Sequence, residues 1–178
     1  VREEVLPYQY NILNDAIPGI EKSHAIENIR LAAEKLRGKD VKPDEFYGMV
    51  FQDSDVAKWI EAAAYALAAG EDPELEKAVD ETIQLYGASQ HEDGYVDSYF
   101  TVKCPDKMWT NICDAHELYC AGHMMEAAVA YYEVTGKHEL LDIMSKNADC
   151  IYVLKDGMVA QHGTHETLMN EGGLYKEL

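Results

Sequence analysis

The sequence predicts an all-α fold, an incomplete (α/α) barrel of helical hairpins, followed by a tail of a short β-hairpin plus a helix. Apolar residues recur at helical spacing through most of the chain, between polar capping residues and glycines. Two Ala-rich segments coincide without a gap at an offset of 65 residues, so that Glu61-Ala62-Ala63 matches Glu126-Ala127-Ala128. A repeated helical unit of this kind buries its face against its neighbours. An ordinary antiparallel helical bundle is the alternative interpretation.

Three helices are predicted in the first half of the chain. Residues 23–38 open with a capping Ser, place apolar residues near helical spacing and end on Gly. A second helix is predicted over 53–67 and is capped at one of its first two residues, Asp53 or Ser54. A third begins with a proline and covers about 73–90. The second and third helices form the first hairpin of the repeat.

The middle of the chain combines a turn, an extended piece and a second helical hairpin. The Asp-Gly pair within 91–95 predicts a turn, and the alternation over 96–102 predicts a short extended segment. A helix is expected from about residue 111 to 134, because Thr135-Gly136 then ends the pattern. A further helix is predicted from His138. This pair is the counterpart of the earlier hairpin.

The last thirty residues break the helical pattern. Alternating residues over 151–154 and 158–160, with an Asp-Gly turn between them, predict a two-stranded hairpin. Thr164 is expected to cap a short helix after it. The sequence therefore predicts two parts, a helical domain over 1–146 and a tail over 147–178.

The composition is strongly acidic, with 33 Asp and Glu against 15 Lys and Arg and a formal net charge of −18. Such a surface repels a phosphate backbone and anionic lipid, which argues against nucleic acid and membranes as partners. No apolar run approaches the roughly 18 residues of a membrane-spanning helix. The four cysteines match neither a disulfide framework nor a close-set zinc pattern, so a reducing cytoplasm is the expected location.

Three potential metal ligands, His116, Cys120 and His123, stand at i, i+4 and i+7 on one face of a predicted helix. Zinc accepts such donors, but two helical turns separate the first from the last by about 10 Å. One ion does not readily reach all three, and a polar pocket lining is the preferred interpretation. An HExxH zinc motif fails as well, because the residue four positions after His116 is Cys120. No metal site is assigned to this chain.

Six residues at two helix starts are the candidate substrate-binding residues: His116, Glu117, Phe51, Gln52, Asp53 and Asp55. The 65-residue offset superposes the two helix starts, which makes them two sides of one pocket mouth. An aromatic face beside hydrogen-bond donors and acceptors suits a small polar ligand such as a sugar. The alternative for Asp53 is a plain helix cap. No carboxylate pair is nominated as catalytic, because glycosidase chemistry depends on a separation that the sequence does not give.

Six segments, in this order, carry a family resemblance: Leu6-Pro7-Tyr8-Gln9-Tyr10, Leu13-Asn14-Asp15, Ser23–Asn28, Phe46–Trp59, Asp93-Gly94-Tyr95 and His116–Gly136. As a set they resemble the beginning of a β-L-arabinofuranosidase of glycoside hydrolase family 127, over about residues 1–145. The resemblance implies an α/α-barrel catalytic domain that removes terminal β-L-arabinofuranose with retention. It also implies a cysteine nucleophile near a zinc ion and an acid/base glutamate.

The same resemblance implies that the reacting groups are absent from this chain. In the family, the adjacent cysteine pair and the glutamates lie farther along than this length of chain, and no Cys-Cys pair occurs here. The early substrate-contacting histidine matches His116, and the Phe51 to Asp55 segment matches more loosely. The chain is therefore expected to contact an L-arabinofuranoside or related sugar, to hold no cofactor and to be inactive alone. Zinc is expected only in the complete enzyme.

A second resemblance covers the end of the chain. Residues 147–157, 161–166 and 172–175 resemble the C-terminal piece of an exporter-type ABC transporter nucleotide-binding domain, which would make the chain a fusion of unrelated parts. No Walker A pattern precedes them, so ATP binding is not predicted. Two alternatives to a glycosidase fragment stay open. One is a non-catalytic helical binding or assembly protein, with a homodimer as one arrangement, and the other is a fragment of an ABC transporter ATPase.

Overall fold

The computed structural model describes residues 1–111, 114–149, 151–155, 158–163 and 165–177. Helices dominate, and the only strands over these residues form one hairpin near the end. The elements are α1 (Val5–Leu13), α2 (Ala25–Leu36), α3 (Asp53–Ala68), α4 (Pro73–Ala88), α5 (Ser98–Lys103), α6 (Glu117–Thr135), α7 (Glu139–Ala148), β1 (Ile151–Lys155), β2 (Met158–Gly163), α8 (His165–Glu171) and α9 (Leu174–Glu177). Short 3-10 turns cover Pro43–Glu45 and Pro105–Lys107.

The four helices of the predicted repeat all form, and α3 lies directly beside α6. The two run parallel, because Lys58 near the start of α3 donates to Tyr119 near the start of α6, and Tyr65 near the end of α3 lies close enough to Glu133 near the end of α6 for that charge to raise the pKa of Tyr65. Alanines on both helices, including Ala63 and Ala127, are fully buried and let the helix axes approach closely. Helices α4 and α7 pack behind them and close the main core with Ile83.

Helix α1 lies along α3 in the opposite direction. Arg2 donates to the carbonyl oxygen of Gly70 at the far end of α3 (2.8 Å). Trp59 Nε1 donates to the carbonyl oxygen of Leu6 (3.1 Å), and the ring of Tyr10 stacks on the Trp59 indole at 4.6 Å. Helix α2 packs against α4 and α5. The first two helices therefore brace the hairpin from one side.

Two predictions about the middle of the chain were wrong. Residues 98–103 form helix α5 instead of an extended segment, because Asp97 caps it by accepting the Phe100 N–H (3.0 Å). Helix α6 starts at Glu117 and not near residue 111, since His116 adopts a left-handed backbone with φ of 61°. Its end, at a left-handed Gly136, is as predicted.

The tail forms the predicted hairpin, followed by short helices that pack on β2. Strands β1 and β2 are antiparallel, with a register shift between Val153 and Leu154. Val153 and Leu168 are both buried. The predicted Asp-Gly turn at 156–157 and the Thr164 cap lie outside the described residues.

Exposed apolar side chains are distributed unevenly between a front layer of α1, α3 and α6 and a back layer of α2, α4 and α7. On α2, α4 and α7, Leu36 is the one large apolar side chain that is exposed. On α1, α3 and α6 there are seven: Val5, Tyr8, Tyr65, Leu118, Tyr119, Val129 and Tyr132. The front layer therefore has a face that the described residues leave uncovered. The helices form two layers and not a closed ring, so barrel closure stays a prediction. Over the described residues, no helix combines the length and apolarity needed to cross a bilayer.

Candidate functional site

His116 lies at the junction of α6 and the loop before it, in a backbone conformation that non-glycine residues seldom adopt. Its Nδ1 is 2.6 Å from the carbonyl oxygen of Asp114, so Nδ1 carries the proton and Nε2 is the accepting nitrogen of the neutral ring. The imidazole is 5.3 Å from the Phe51 ring, centroid to centroid. The two helix starts that the repeat aligns therefore meet through these two side chains.

The contact continues along α6 and across to α3. The Tyr119 ring lies edge-on to His116 at 5.7 Å and to His123 at 4.5 Å. Lys58 Nζ donates to Tyr119 Oη (3.0 Å) and to Ser54 Oγ (3.2 Å). We call Phe51, His116, Tyr119, His123 and Lys58 the front cluster. It presents aromatic faces, imidazoles and an ammonium group on the uncovered side of the front layer.

Asp53 is buried beneath this surface and anchors α5. Its carboxylate accepts the backbone N–H of Ser98 (2.8 Å) and the Ser98 hydroxyl. Burial raises the pKa of Asp53, although the hydrogen bonds from Ser98 oppose that shift. Asp97 is also buried, and burial together with the charge of the nearby Asp53 raises the pKa of Asp97 well above its usual value. The Asp53 side chain therefore fixes the start of α5. It does not form the plain cap of α3, which was the alternative prediction for this residue.

Glu117 is buried too, directly behind His116. Its Oε1 accepts the Tyr95 hydroxyl (2.8 Å), and both carboxylate oxygens accept the backbone N–H of Trp109 (2.9 and 3.1 Å). Burial raises the pKa of Glu117, and these hydrogen bonds lower it in part. Trp109 has a left-handed backbone with φ of 60°, as His116 does. Glu117 thus fixes the loop that precedes His116.

The other two predicted residues lie near the surface of α3. Gln52 is half-buried, and its Oε1 accepts the Met49 N–H (3.1 Å) in the turn before α3. That turn needs Gly48, whose φ is 111° and whose hydrogen faces Gln52 Oε1, where a Cβ would come within 2.5 Å. Asp55 is exposed on the first turn of α3. The predicted set therefore divides into a surface group with Phe51 and His116 and an interior group with Asp53 and Glu117.

Three members of the front cluster were not among the predicted binding residues: Lys58, Tyr119 and His123. Helical spacing could have identified two of them, because Tyr119 and His123 follow His116 by three and seven residues and therefore lie on the same side of the helix. The spacing also grouped His123 with His116 and Cys120, and polar pocket lining was preferred to a metal site for these three residues. Cys120 instead points into the core with 2 % exposure. Over the described residues, no three His, Cys, Asp or Glu side chains come together in a way that could hold a metal ion.

The described cysteines are poor nucleophiles. Burial raises the pKa of the Cys120 thiol strongly, and the nearby Asp53 and Asp97 raise it further. Burial also raises the pKa of Cys104. Because the thiolate is the reactive form, these shifts make both thiols less reactive than an exposed free cysteine. Cys113 and Cys150 lie outside the described residues.

Comparison with known proteins supplies the family. The sequence model of the β-L-arabinofuranosidase GH127 catalytic domain matches residues 1–177. A non-reducing end β-L-arabinofuranosidase of Bifidobacterium longum subsp. longum is 42 % identical, over 84 % of this chain and 24 % of that protein. A GH127 β-L-arabinofuranosidase structure from Geobacillus stearothermophilus T6 superposes with a TM-score of 0.79 at 55 % identity, over 88 % of this chain and 24 % of that one.

A further GH127 β-arabinofuranosidase structure superposes with a TM-score of 0.68 at 31 % identity, over 83 % of this chain and 23 % of that one. The chain thus spans about a quarter of the length of the relatives it matches. The family match extends through the tail to residue 177, and the ABC transporter resemblance of residues 147–178 stays a prediction. The match over nearly the whole chain shows that this protein belongs to the GH127 β-L-arabinofuranosidase family.

Proposed function

We propose that this chain forms the sugar-contacting wall of a β-L-arabinofuranosidase and that its front cluster binds a terminal β-L-arabinofuranose. The observation that carries the proposal is the meeting of His116 with Phe51 at two equivalent helix starts. His116 is the residue that matches the substrate-contacting histidine in the family resemblance. Aromatic faces receive the C–H side of a sugar, and polar groups at the rim fix its hydroxyls.

Each surface residue has a separate part in this proposal. The Nε2 atom of His116 accepts a hydrogen bond from a sugar hydroxyl, because Nδ1 is committed to the Asp114 carbonyl. Phe51 and Tyr119 contact the apolar side of the ring. The exposed Asp55 carboxylate accepts hydrogen bonds from sugar hydroxyls, and Gln52 shapes the turn that presents Phe51.

Asp53 and Glu117 act through other residues in the proposed site. Both are about 97 % buried or more, and their oxygens are already used by Ser98, Tyr95 and Trp109. A sugar reaching them would have to displace those partners. We therefore assign them the positioning of α5 and of the loop before His116. This differs from the direct sugar contact expected from their place in the sequence.

The reacting groups of a retaining glycosidase belong, in this proposal, to the remainder of the complete enzyme. The sequence has no adjacent cysteine pair, and burial raises the pKa of both described thiols, Cys104 and Cys120. The described residues offer no cluster that fits zinc. We propose that other residues of the complete enzyme bind zinc and that this chain alone does not hydrolyse arabinofuranosides.

Binding and hydrolysis are tested separately. Titration of the 178-residue chain with methyl β-L-arabinofuranoside should shift the amide resonances of Phe51 and His116. His116→Ala should abolish the shifts, whereas His138→Ala, at the start of α7, should keep them. Unchanged spectra for the folded wild-type chain would overturn the binding proposal. Release of L-arabinose by this chain, with zinc and reductant present, would overturn its proposed inactivity.

One observation favours the assembly alternative as a second role. Leu118, Val129 and Tyr132 are each at least 45 % exposed and follow one edge of α6. Contiguous exposed apolar side chains often mark a contact with another protein surface. Sedimentation equilibrium distinguishes the cases, because a homodimer that Val129→Glu disrupts supports assembly. A monomer at all concentrations removes the homodimer.

A further inference from the structure

A cavity lies between α1, α2 and α4, and it shares no lining residue with the front cluster. Its volume is about 470 Å³, within the roughly 300–1,000 Å³ of small-molecule sites. Part of its wall is apolar and includes Ile26, Leu85 and Ala88, whereas the rest consists of polar and charged side chains. A mixed wall of this kind suits an organic molecule that carries polar groups.

Two of the three arginines in the whole sequence, Arg30 and Arg37, line this one cavity. They are seven residues apart along the chain, which places them on the same face of the helical segment, two turns and about 10 Å from each other. The guanidinium group is always charged and binds a carboxylate through two parallel hydrogen bonds. In a chain with a formal net charge of −18, this concentration of arginine indicates a ligand with an anionic group.

Both guanidinium groups keep donors that a ligand can use. Arg30 forms an ion pair with Glu27 through its Nε (3.2 Å), and its two terminal amino groups extend beyond that contact. Over the part of the chain that the structure describes, Arg37 forms no ion pair. The hydrogen bond from Lys39 (2.6 Å) is the main cause of the lowered pKa of Glu34, and Arg30 and Arg37 contribute less. The Glu34 carboxylate is therefore paired with Lys39 rather than with either arginine.

The wall of the cavity also contains a carboxylate and an amide, both on α4. Glu81 is exposed, and Lys77 Nζ lies 3.6 Å from its Oε1. Gln84 is exposed as well. A carboxylate repels a ligand that is anionic along its whole length but accepts hydrogen bonds from hydroxyl groups, and an amide both donates and accepts. The wall therefore fits a ligand that carries hydroxyls in addition to its anionic groups.

We propose that this cavity binds a small organic anion with a carboxylate at each end and hydroxyl groups between them. Arg30 and Arg37 each bind one carboxylate, and Glu81 and Gln84 bind the hydroxyls. The net charge of the chain opposes a nonspecific attraction of anions, so the affinity comes from these side chains. The site is independent of the proposed sugar site, with which it has no lining residue in common.

Three six-carbon compounds separate the effect of charge from that of shape: glucarate with two carboxylates, gluconate with one and sorbitol with none. Each is titrated into the full 178-residue chain, and the amide resonances of Arg30, Arg37 and Gln84 report binding. Glucarate should bind about tenfold more tightly than gluconate, and sorbitol should cause no shifts. Equal affinities for glucarate and gluconate, or shifts with sorbitol, would overturn the inference. Inorganic phosphate that binds as tightly as glucarate would show a general anion site and would also overturn it.

Variants of Arg37, which is exposed and outside the core, test the site without endangering the fold. Arg37→Met should lower the affinity for glucarate about tenfold. Arg37→Lys should recover only part of the loss, because lysine keeps the charge but lacks the paired donors of the guanidinium group. Arg2→Met is the matched control, since Arg2 is the third arginine and lies beside Asp72 outside this cavity. It should bind glucarate as the wild type does. If Arg37→Met and Arg2→Met bind glucarate equally well, the cavity is not the anion site.

Discussion

Two carboxylate clusters at opposite ends of α6 differ in what balances their charge. At the start of α6, buried Asp53, Asp97 and Glu117 are hydrogen-bonded by hydroxyls and backbone N–H groups. At its end, Lys137 Nζ lies 2.5 Å from Glu76 Oε1 and 2.6 Å from Asp80 Oδ2. The first group we call the buried acid cluster and the second the lysine-bridged cluster. The cluster next to the proposed sugar site is the one without a described cation partner.

The difference lies in how each cluster responds to protons. Burial raises the pKa of all three carboxyls in the buried acid cluster. In the lysine-bridged cluster, burial by itself would lower the pKa of Lys137, but its hydrogen bonds to Asp80 and Glu76 raise it. The buried acid cluster therefore orders loops at an electrostatic cost, and the lysine-bridged cluster joins α4 to the end of α6 at little cost.

Removal of Glu117 should have the largest effect on stability. Glu117→Ala removes the carboxylate that accepts from the Tyr95 hydroxyl and from the Trp109 N–H, and each lost hydrogen bond of a buried donor costs about 1–3 kcal/mol. We expect urea denaturation to show a loss of about 3 kcal/mol. Glu126→Ala, at an exposed position of the same helix, is the control and should change stability by less than about 0.5 kcal/mol. Equal effects of the two variants would contradict the assigned role of Glu117.

The buried acid cluster should also make the fold more stable in mild acid than at neutral pH. Where the folded pKa of a carboxyl lies above its unfolded value, the folded state binds the extra proton, so the free energy of unfolding falls as pH rises between the two values. The slope is about 1.4 kcal/mol per pH unit for each proton. At pH values above the folded pKa values, the free energy of unfolding should no longer change with pH on account of these carboxyls.

Urea denaturation at a series of pH values from 4 upward measures this profile. Asp97→Asn removes the carboxyl whose pKa burial raises well above its usual range and should flatten the curve. Asp142→Asn, at an exposed position of α7, should leave its shape unchanged. Stability that rises with pH over this interval would show that the carboxyls are charged without penalty in the folded protein.

Loss of Lys137 should cost much less than loss of Glu117. Its side chain is 41 % exposed, and exposed ion pairs contribute about 0–1 kcal/mol. We expect Lys137→Met to lower the free energy of unfolding by less than about 1 kcal/mol, with a smaller difference from wild type in high salt. A loss as large as that of Glu117→Ala would remove the distinction between the two clusters.

Local sequence pattern was enough for the elements that depend on nearby residues. The two hairpins over α3–α4 and α6–α7 follow from Ala-rich helical spacing, Pro73 and Gly136. Helix α5 was missed because alternation favoured a strand, while its start is held by Asp53, which lies 45 residues before Ser98. The burial of Glu117 was equally hidden, since Tyr95 and Trp109 reach it only after the loop has folded.

The left-handed backbone of His116 gives the smallest predicted change in stability. A non-glycine residue in this conformation is strained, and glycine removes the strain. His116→Gly should therefore change the free energy of unfolding by no more than about 1 kcal/mol, in the stabilising direction, while abolishing the shifts caused by methyl β-L-arabinofuranoside. His24→Gly is the matched control, because His24 also precedes a helix with a left-handed φ of 55° and its ring contacts Tyr47 and Asp15. It should leave sugar binding intact. If both variants bind the sugar as wild type does, His116 keeps its unusual backbone for a reason other than recognition.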